Sequence, residues 1–155
     1  MVDFNFEKER ISFTPIILYT EYINLQFDYF LKENFKELNI TPGDCTYLVN
    51  IFYHEKISQR ELSDLLYVSE ANVAQIIKLL EKKKFVERTI DDNNKSRKLL
   101  SLTHKGKITV YSLIRAIYEL ESKLTSKYSN DEIDNFKKIL YEISQKSAEA
   151  IRKYE

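Results

Sequence analysis

The chain has 155 residues, of which 43% are hydrophobic and 31% are charged, so we expect one globular domain with a substantial core. Its 24 basic residues balance its 24 acidic ones, which argues against a generally basic nucleic-acid-binding chain. The single cysteine, Cys45, excludes an intramolecular disulfide and favours a reducing cytoplasm. No apolar run approaches the length of a membrane span.

Charge is distributed unevenly along the chain. Residues 1–53 carry 4 basic and 8 acidic side chains, whereas residues 54–106 carry 11 basic and 8 acidic ones. Residues 107–155 carry 9 basic and 8 acidic side chains. The positive excess therefore lies on the central segment, where an acidic partner such as nucleic acid would be contacted.

The N-terminal part is predicted to form one long helix. Thr14-Pro15 is a favourable start, with Pro at the first helical position, and apolar residues recur at helical spacing to about Phe35. Apolar side chains lie on more than one side, so the helix is expected to be buried on more than one side. Residues 1–13 carry four large apolar side chains that need a partner surface, either the chain's own core or a second copy: Phe4, Phe6, Ile11 and Phe13.

A second helix is predicted to begin at Thr41-Pro42. Cys45 lies in its first turns, where the positive end of the helix dipole can lower a thiol pKa. The favoured interpretation is a small, partly buried structural thiol, and the alternative is a thiol that senses oxidants. His54 and His104 have no second histidine or cysteine at metal-ligand spacing, so we predict no metal and no cofactor.

Two short helices are predicted next. Ser58 can cap a helix over residues 59–66, and Glu61 three residues later completes a capping box. Ser69 can cap the following helix, with Glu70 near the positive end of its dipole. One face of this second helix carries Val73, Ile76, Ile77 and Leu80 at helical spacing, and the other carries Ala71, Asn72, Gln75, Lys78 and Lys82.

After Lys84 the pattern changes from helical to alternating. Residues 85–90 and 98–102 are predicted to be strands, joined by the polar residues 91–96 into a two-stranded hairpin. Two helices joined by a tight turn and followed by such a hairpin make a winged helix-turn-helix. In that arrangement the second helix enters the major groove of DNA.

The C-terminal part is predicted to form two long helices, one from Thr103 to about Tyr128 and one capped by Ser129 or Asn130. The predicted fold is therefore mainly α with a small β-hairpin wing, as a single domain over residues 1–155. The winged helix-turn-helix covers about residues 42–103. Apolar dimerisation helices flank it at about residues 4–38 and 104–153.

The central stretch resembles the MarR family of transcriptional regulators. The resemblance is carried in order by ISQRELSDLL, the Ser-led helix ending in LLEKKKFVER, the polar wing, and the closing SLTHKG. Lys84 stands where the family usually has Gly. Asn94-Lys95-Ser96 stands where it usually has Asp-Arg-Arg, so the aspartate and second arginine of the wing's usual internal ion pair are missing, and Arg97 or Lys98 could supply the usual minor-groove or phosphate contact.

The resemblance implies a homodimer in which the terminal helices of two subunits interlock, and two reading helices on a palindromic site gain specificity. Many members respond to small phenolic or lipophilic ligands, and the 11 Tyr and 9 Phe of this chain are enough to line such a pocket, although most are expected in the core.

The function expected is sequence-specific binding of double-stranded DNA. The amides of Asn72 and Gln75 can pair with adenine edges, and Ala71 can meet a thymine methyl. Phosphate or minor-groove contacts are expected from Ser69, Lys78, Lys82, Lys95, Arg97 and Lys98. The alternative is a winged-helix module that binds protein without DNA, which the neutral charge and Glu70 leave open. No Gly-rich phosphate loop, carboxylate pair or nucleophile triad indicates an enzyme.

Overall fold

A computed structural model of the chain describes residues 8–91 and 94–151. The predictions for Phe4 and Phe6, for Asp92 and Asn93 at the hairpin tip, and for the last residues of the final helix lie outside these ranges.

The described residues form six α-helices and three β-strands. The helices are α1 (Ile16–Phe35), α2 (Pro42–Tyr53), α3 (Gln59–Leu66), α4 (Glu70–Lys82), α5 (His104–Thr125) and α6 (Asn130–Ile151). The strands are β1 (Ile57–Ser58), β2 (Val86–Asp91) and β3 (Asn94–Leu102). Short 3-10 helices cover Lys8–Phe13 and Lys36–Leu38. The predicted fold class, mainly α with a small β-hairpin wing, is confirmed.

Side-chain caps set most of the helix starts. Thr41 closes a capping box with Asp44 at the start of α2, and Ser58 closes one with Glu61 at the start of α3. The Ser69 hydroxyl accepts a hydrogen bond from the Asn72 backbone N–H at the start of α4. The start predicted for α1 was wrong by one position, because Pro15 is the cap residue and the first helical residue is Ile16.

The three strands form one antiparallel sheet in the order β1-β3-β2. Val86 pairs with Leu102 and Ile90 with Lys98, and an irregularity then brings Asp91 opposite Asn94. The predicted hairpin is confirmed, but β1 was missed because two residues are too few to show alternation. The second strand of the hairpin also starts at Asn94 rather than Lys98, so the link is shorter than predicted.

The described residues as far as Val110 form one compact unit, and those from Tyr111 onward form a second. The core of the first unit joins α2, α3 and α4 to the sheet through fully buried side chains: Leu48, Ile51, Leu62, Val73, Ile77, Leu80, Phe85 and Leu100. In the second unit the Lys137 ammonium on α6 lies 2.7 Å from a Glu121 carboxylate oxygen on α5. Among the described residues, no helix combines the length and the apolarity that a membrane crossing requires.

The backbone conformation of Lys84 explains why the family usually has Gly at this position. Its φ is 63°, in the left-handed region, where a side chain costs on the order of 1 kcal/mol. This conformation ends α4 and starts the strand, because the Lys84 N–H donates to the Glu81 carbonyl and its carbonyl accepts from the Thr103 hydroxyl. Lysine is therefore accommodated at a turn that glycine would make without strain.

Gly106 permits the close packing of the first turn of α5 against the start of the hairpin. A Cβ at this position would lie 2.1 Å from the Phe85 carbonyl oxygen and 3.3 Å from the Leu102 Cβ. The Gly106 N–H donates to the Thr103 hydroxyl, which itself donates to the carbonyls of Lys84 and Phe85. Any side chain at this position would push α5 away from the sheet.

The two glycines of the chain therefore predict opposite effects of one methyl group. Gly106→Ala should lower the free energy of unfolding by about 1–3 kcal/mol, because the Cβ overlaps backbone. Gly43→Ala is the matched control, since a Cβ in α2 meets only the Thr41 hydroxyl at 3.7 Å. It should raise stability by about 0.5–1 kcal/mol through helix propensity. Urea unfolding measures both changes, and equal stabilities of the two variants would contradict the packing described.

Candidate nucleic-acid interface

Helix α4 has one buried face and one exposed face. Val73, Ile77 and Leu80 are fully buried against the first unit. The side chains predicted to read DNA lie on the exposed face: Ala71, Asn72, Gln75, Lys78 and Lys82. Ala71, Gln75, Lys78 and Lys82 follow one another at spacings of four, three and four, so they form one stripe about 16 Å long at 1.5 Å per residue. We call this surface the exposed face of α4.

The N-terminal end of this face is tied to α2. The Tyr47 hydroxyl donates a hydrogen bond of 2.7 Å to the Asn72 Oδ1, and Tyr47 itself is buried. Burial raises the pKa of the Tyr47 hydroxyl above its usual value, so the group stays a proton donor. No local pattern in the sequence indicates this contact, because Tyr47 and Asn72 are 25 positions apart. Asn72 is therefore exposed but not free to turn.

The C-terminal end is tied to the same helix by an ion pair. The Lys83 ammonium lies 2.9 Å from the Asp44 Oδ2, and Asp44 is only 3% exposed. The same oxygen accepts the Thr41 backbone N–H at 3.0 Å as part of the capping box. The three consecutive lysines of the sequence thus separate into different structural positions. Lys82 is exposed, Lys83 is paired to the core, and Lys84 forms the left-handed turn.

The basic residues of the wing lie on strand β3 rather than at a loop. Lys95 and Lys98 are exposed. Arg97 is partly covered, with one guanidinium nitrogen 2.6 Å from a Glu61 carboxylate oxygen and the other 3.6 Å from Asp91. The wing therefore does contain an ion pair, made by residues other than those the family pattern suggested. The phosphate or minor-groove contact expected from Arg97 stays a prediction, and in this structure its guanidinium is paired with two carboxylates.

Strand register explains why Arg97 meets Glu61. Ser58 on β1 pairs with Leu99 on β3, and Arg97, two residues from Leu99, shares its face of the strand. The Glu61 carboxylate accepts the Ser58 backbone N–H in the capping box, so it lies beside Ser58 and within reach of Arg97. The Ser58 backbone N–H, the Ser58 hydroxyl and Arg97, in that order, lower the pKa of Glu61 to about 2. The Glu61 carboxylate thus both caps the start of α3 and pairs with Arg97 of the wing.

Cys45 and the histidines do not contribute to this surface. Burial and the neighbouring Asp44 raise the pKa of the Cys45 thiol to about 11, so the favoured interpretation of a structural thiol agrees with its environment. His54 and His104 are exposed. Within the described ranges, no three His, Cys, Asp or Glu side chains are grouped in a way that could hold a metal ion.

Comparison with known proteins supports the fold and gives the family. The MarR family model matches residues 40–98. The HTH-type transcriptional regulator YybA of Bacillus subtilis (strain 168) is 33% identical over 110 residues, which are 70% of this chain and 73% of that protein.

Two solved structures extend the similarity. The transcriptional regulator SlyA has a TM-score of 0.79 at 28% identity, covering 88% of this chain and 96% of its own. The MepR–DNA complex of S. aureus has a TM-score of 0.74 at 22% identity, covering 88% and 98%, which shows the shared fold. The family and YybA are transcriptional regulators rather than enzymes, as the sequence predicted. By its identity to YybA over this length, and by its fold, the chain belongs to the MarR family.

Proposed function

We propose that this regulator binds a specific sequence of double-stranded DNA, as a homodimer, with α4 in the major groove. The observation that carries the proposal is the exposed face of α4, which gathers amide, small and basic side chains on a helix tied to α2 at both ends. The major groove is about 12 Å wide and admits one helix. The S. aureus MepR structure, which has this fold, is a complex with DNA and supports DNA binding by a chain of this fold.

Each residue of the interface has a proposed contact. Gln75 and Asn72 read base edges, and Ala71 meets a thymine methyl group. Ser69, Lys78 and Lys82 lie along the same helix and contact phosphates. Lys95 and Lys98 are exposed on β3 and contact the backbone or the minor groove. Arg97 contributes mainly by holding β3 against α3, because its charge is matched by Glu61 and Asp91.

Exposed apolar side chains in both units support the homodimer. On α1, Ile16, Ile17, Ile23, Leu25 and Tyr29 are each more than half exposed. In the second unit, Tyr118, Leu124, Phe136 and Ile139 are each 47–64% exposed. Large exposed apolar surfaces mark interaction sites on proteins in solution. Two reading helices at fixed spacing would match a palindromic operator.

The homodimer predicts a single species of twice the chain mass in sedimentation equilibrium at micromolar concentration. Phe136→Lys should shift the protein toward monomer, because it places a charge on an apolar surface. Lys138→Ala, a neighbouring change on α6, is the control and should stay dimeric. A wild-type protein that sediments only at 18.5 kDa would contradict the proposal.

Release from DNA by a small phenolic or lipophilic effector is also proposed. The second unit contains a cleft of about 480 Å³, lined by Tyr128, Ile133, Phe136 and Leu140 among others, which lies within the range of ligand pockets. Titration of the protein–DNA complex with a series of substituted phenols tests this proposal. Release by none of them would count against it.

The DNA contacts predict two separable effects on binding. Lys95→Ala with Lys98→Ala should weaken binding to the target and to a scrambled duplex by similar factors. It should also flatten the slope of log affinity against log salt, by up to about 0.9 for each phosphate that is no longer neutralised. Gln75→Ala should weaken binding to the target alone, by about 5- to 150-fold if Gln75 pairs well with a base edge.

A charge-matched control separates contact from net charge. Lys36→Ala with Lys127→Ala removes the same two charges from other exposed positions and should leave the salt slope unchanged. Fluorescence anisotropy across a salt series gives the affinity and the salt slope of the wild type, the two DNA-contact variants and this control. A wild-type protein without salt-dependent affinity for any duplex would refute the proposed function and favour a protein-binding winged helix.

A further inference from the structure

The contact between Tyr47 and Asn72 joins a buried residue to an exposed one. Tyr47 is 7% exposed and its ring lies in the core of the first unit, whereas Asn72 lies on the exposed face of α4. Their side chains are 25 residues apart in sequence and meet at 2.7 Å. An exposed asparagine ordinarily samples several rotamers, so a rigid buried partner limits its freedom.

The direction of this hydrogen bond decides what Asn72 presents. The phenol donates its proton to Oδ1, so the oxygen end of the amide is turned toward α2. The Nδ2 end, with its two N–H donors, is then the end left for a ligand. In the major groove a donor pairs with the acceptors N7 of purines, O6 of guanine or O4 of thymine, and it finds no acceptor on cytosine.

We propose that Tyr47 is a positioning residue for DNA specificity, which holds Asn72 as a hydrogen-bond donor toward one base of the operator. This inference rests on the proposed function and refines the adenine pairing expected for Asn72. Tyr47 itself is assigned no DNA contact, because it is only 7% exposed and its hydroxyl proton is donated to the amide oxygen. Its effect is to keep the amide from turning over, and turning it over would present an acceptor to the same base.

The test is a selection of duplexes from a random library with wild type, Tyr47→Phe and Asn72→Ala. Asn72→Ala should abolish the preference at one base pair per half-site. Tyr47→Phe removes only the hydroxyl and should relax the preference at that same pair by about 3- to 10-fold, the worth of one hydrogen bond. Preferences elsewhere, affinity for scrambled DNA and the salt slope should not change. In the Asn72→Ala background, Tyr47→Phe should have no further effect on specificity.

Asn72→Asp supplies a second variant that leaves the core intact. Its carboxylate still accepts the Tyr47 proton but offers no donor, so the preferred base should change to one with an amino group, cytosine or adenine. Circular dichroism checks that each variant is folded. Two results would overturn the inference alone. One is that wild type and Tyr47→Phe have the same specificity; the other is that Tyr47→Phe relaxes the preference at a base pair other than the one affected by Asn72→Ala. Wild type that binds no duplex would overturn both the inference and the proposed function.

Discussion

A buried carboxylate determines how the reading helix is held. Asp44 is almost completely buried, and an ionised group in that position is costly unless it is paired and hydrogen-bonded. The Thr41 N–H and the Lys83 ammonium supply those partners at 3.0 and 2.9 Å on one oxygen. Because Lys83 directly follows α4, its ion pair with Asp44 fixes the position of the C-terminal end of α4 against α2. Three residues further along α2, Tyr47 holds the other end of α4 through Asn72. A rigid position for α4 is what base recognition requires.

The wing is attached to the same unit by a second carboxylate. Glu61 accepts the Ser58 N–H and hydroxyl through one oxygen and Arg97 through the other. The helix that supports α4 and the strand that carries Lys95 and Lys98 are therefore linked by one side chain. At the far end of the hairpin, Gly106 lets the first turn of α5 approach the Phe85 carbonyl. The exposed lysines of α4 and of β3 are thus displayed from elements that are braced against one core.

Local signals in the sequence were enough to predict most of this frame. The Ser58–Glu61 box, the Ser69 cap and the spacing of Val73, Ile77 and Leu80 each depend on residues within one or two helical turns. The side chains on the exposed face of α4 followed from the same spacing. What these signals could not give were contacts between residues far apart in sequence. Tyr47 with Asn72, Asp44 with Lys83 and Glu61 with Arg97 are separated by 25, 39 and 36 positions. Lys84 was a departure from the family pattern, and its positive φ showed why glycine is usual there.

A double-mutant cycle on Asp44 and Lys83 tests most directly whether α2 holds α4. Asp44→Asn keeps the shape of the cap, Lys83→Met keeps the length of the side chain, and urea unfolding of both single variants and of the double variant gives the coupling. The structure predicts that Lys83→Met alone is the most destabilising change, because it leaves the buried carboxylate without its counter-charge. The double variant should recover part of that stability, with a coupling of about 1–3 kcal/mol. Effects that add within about 0.3 kcal/mol would contradict the claim that this ion pair fixes the reading helix.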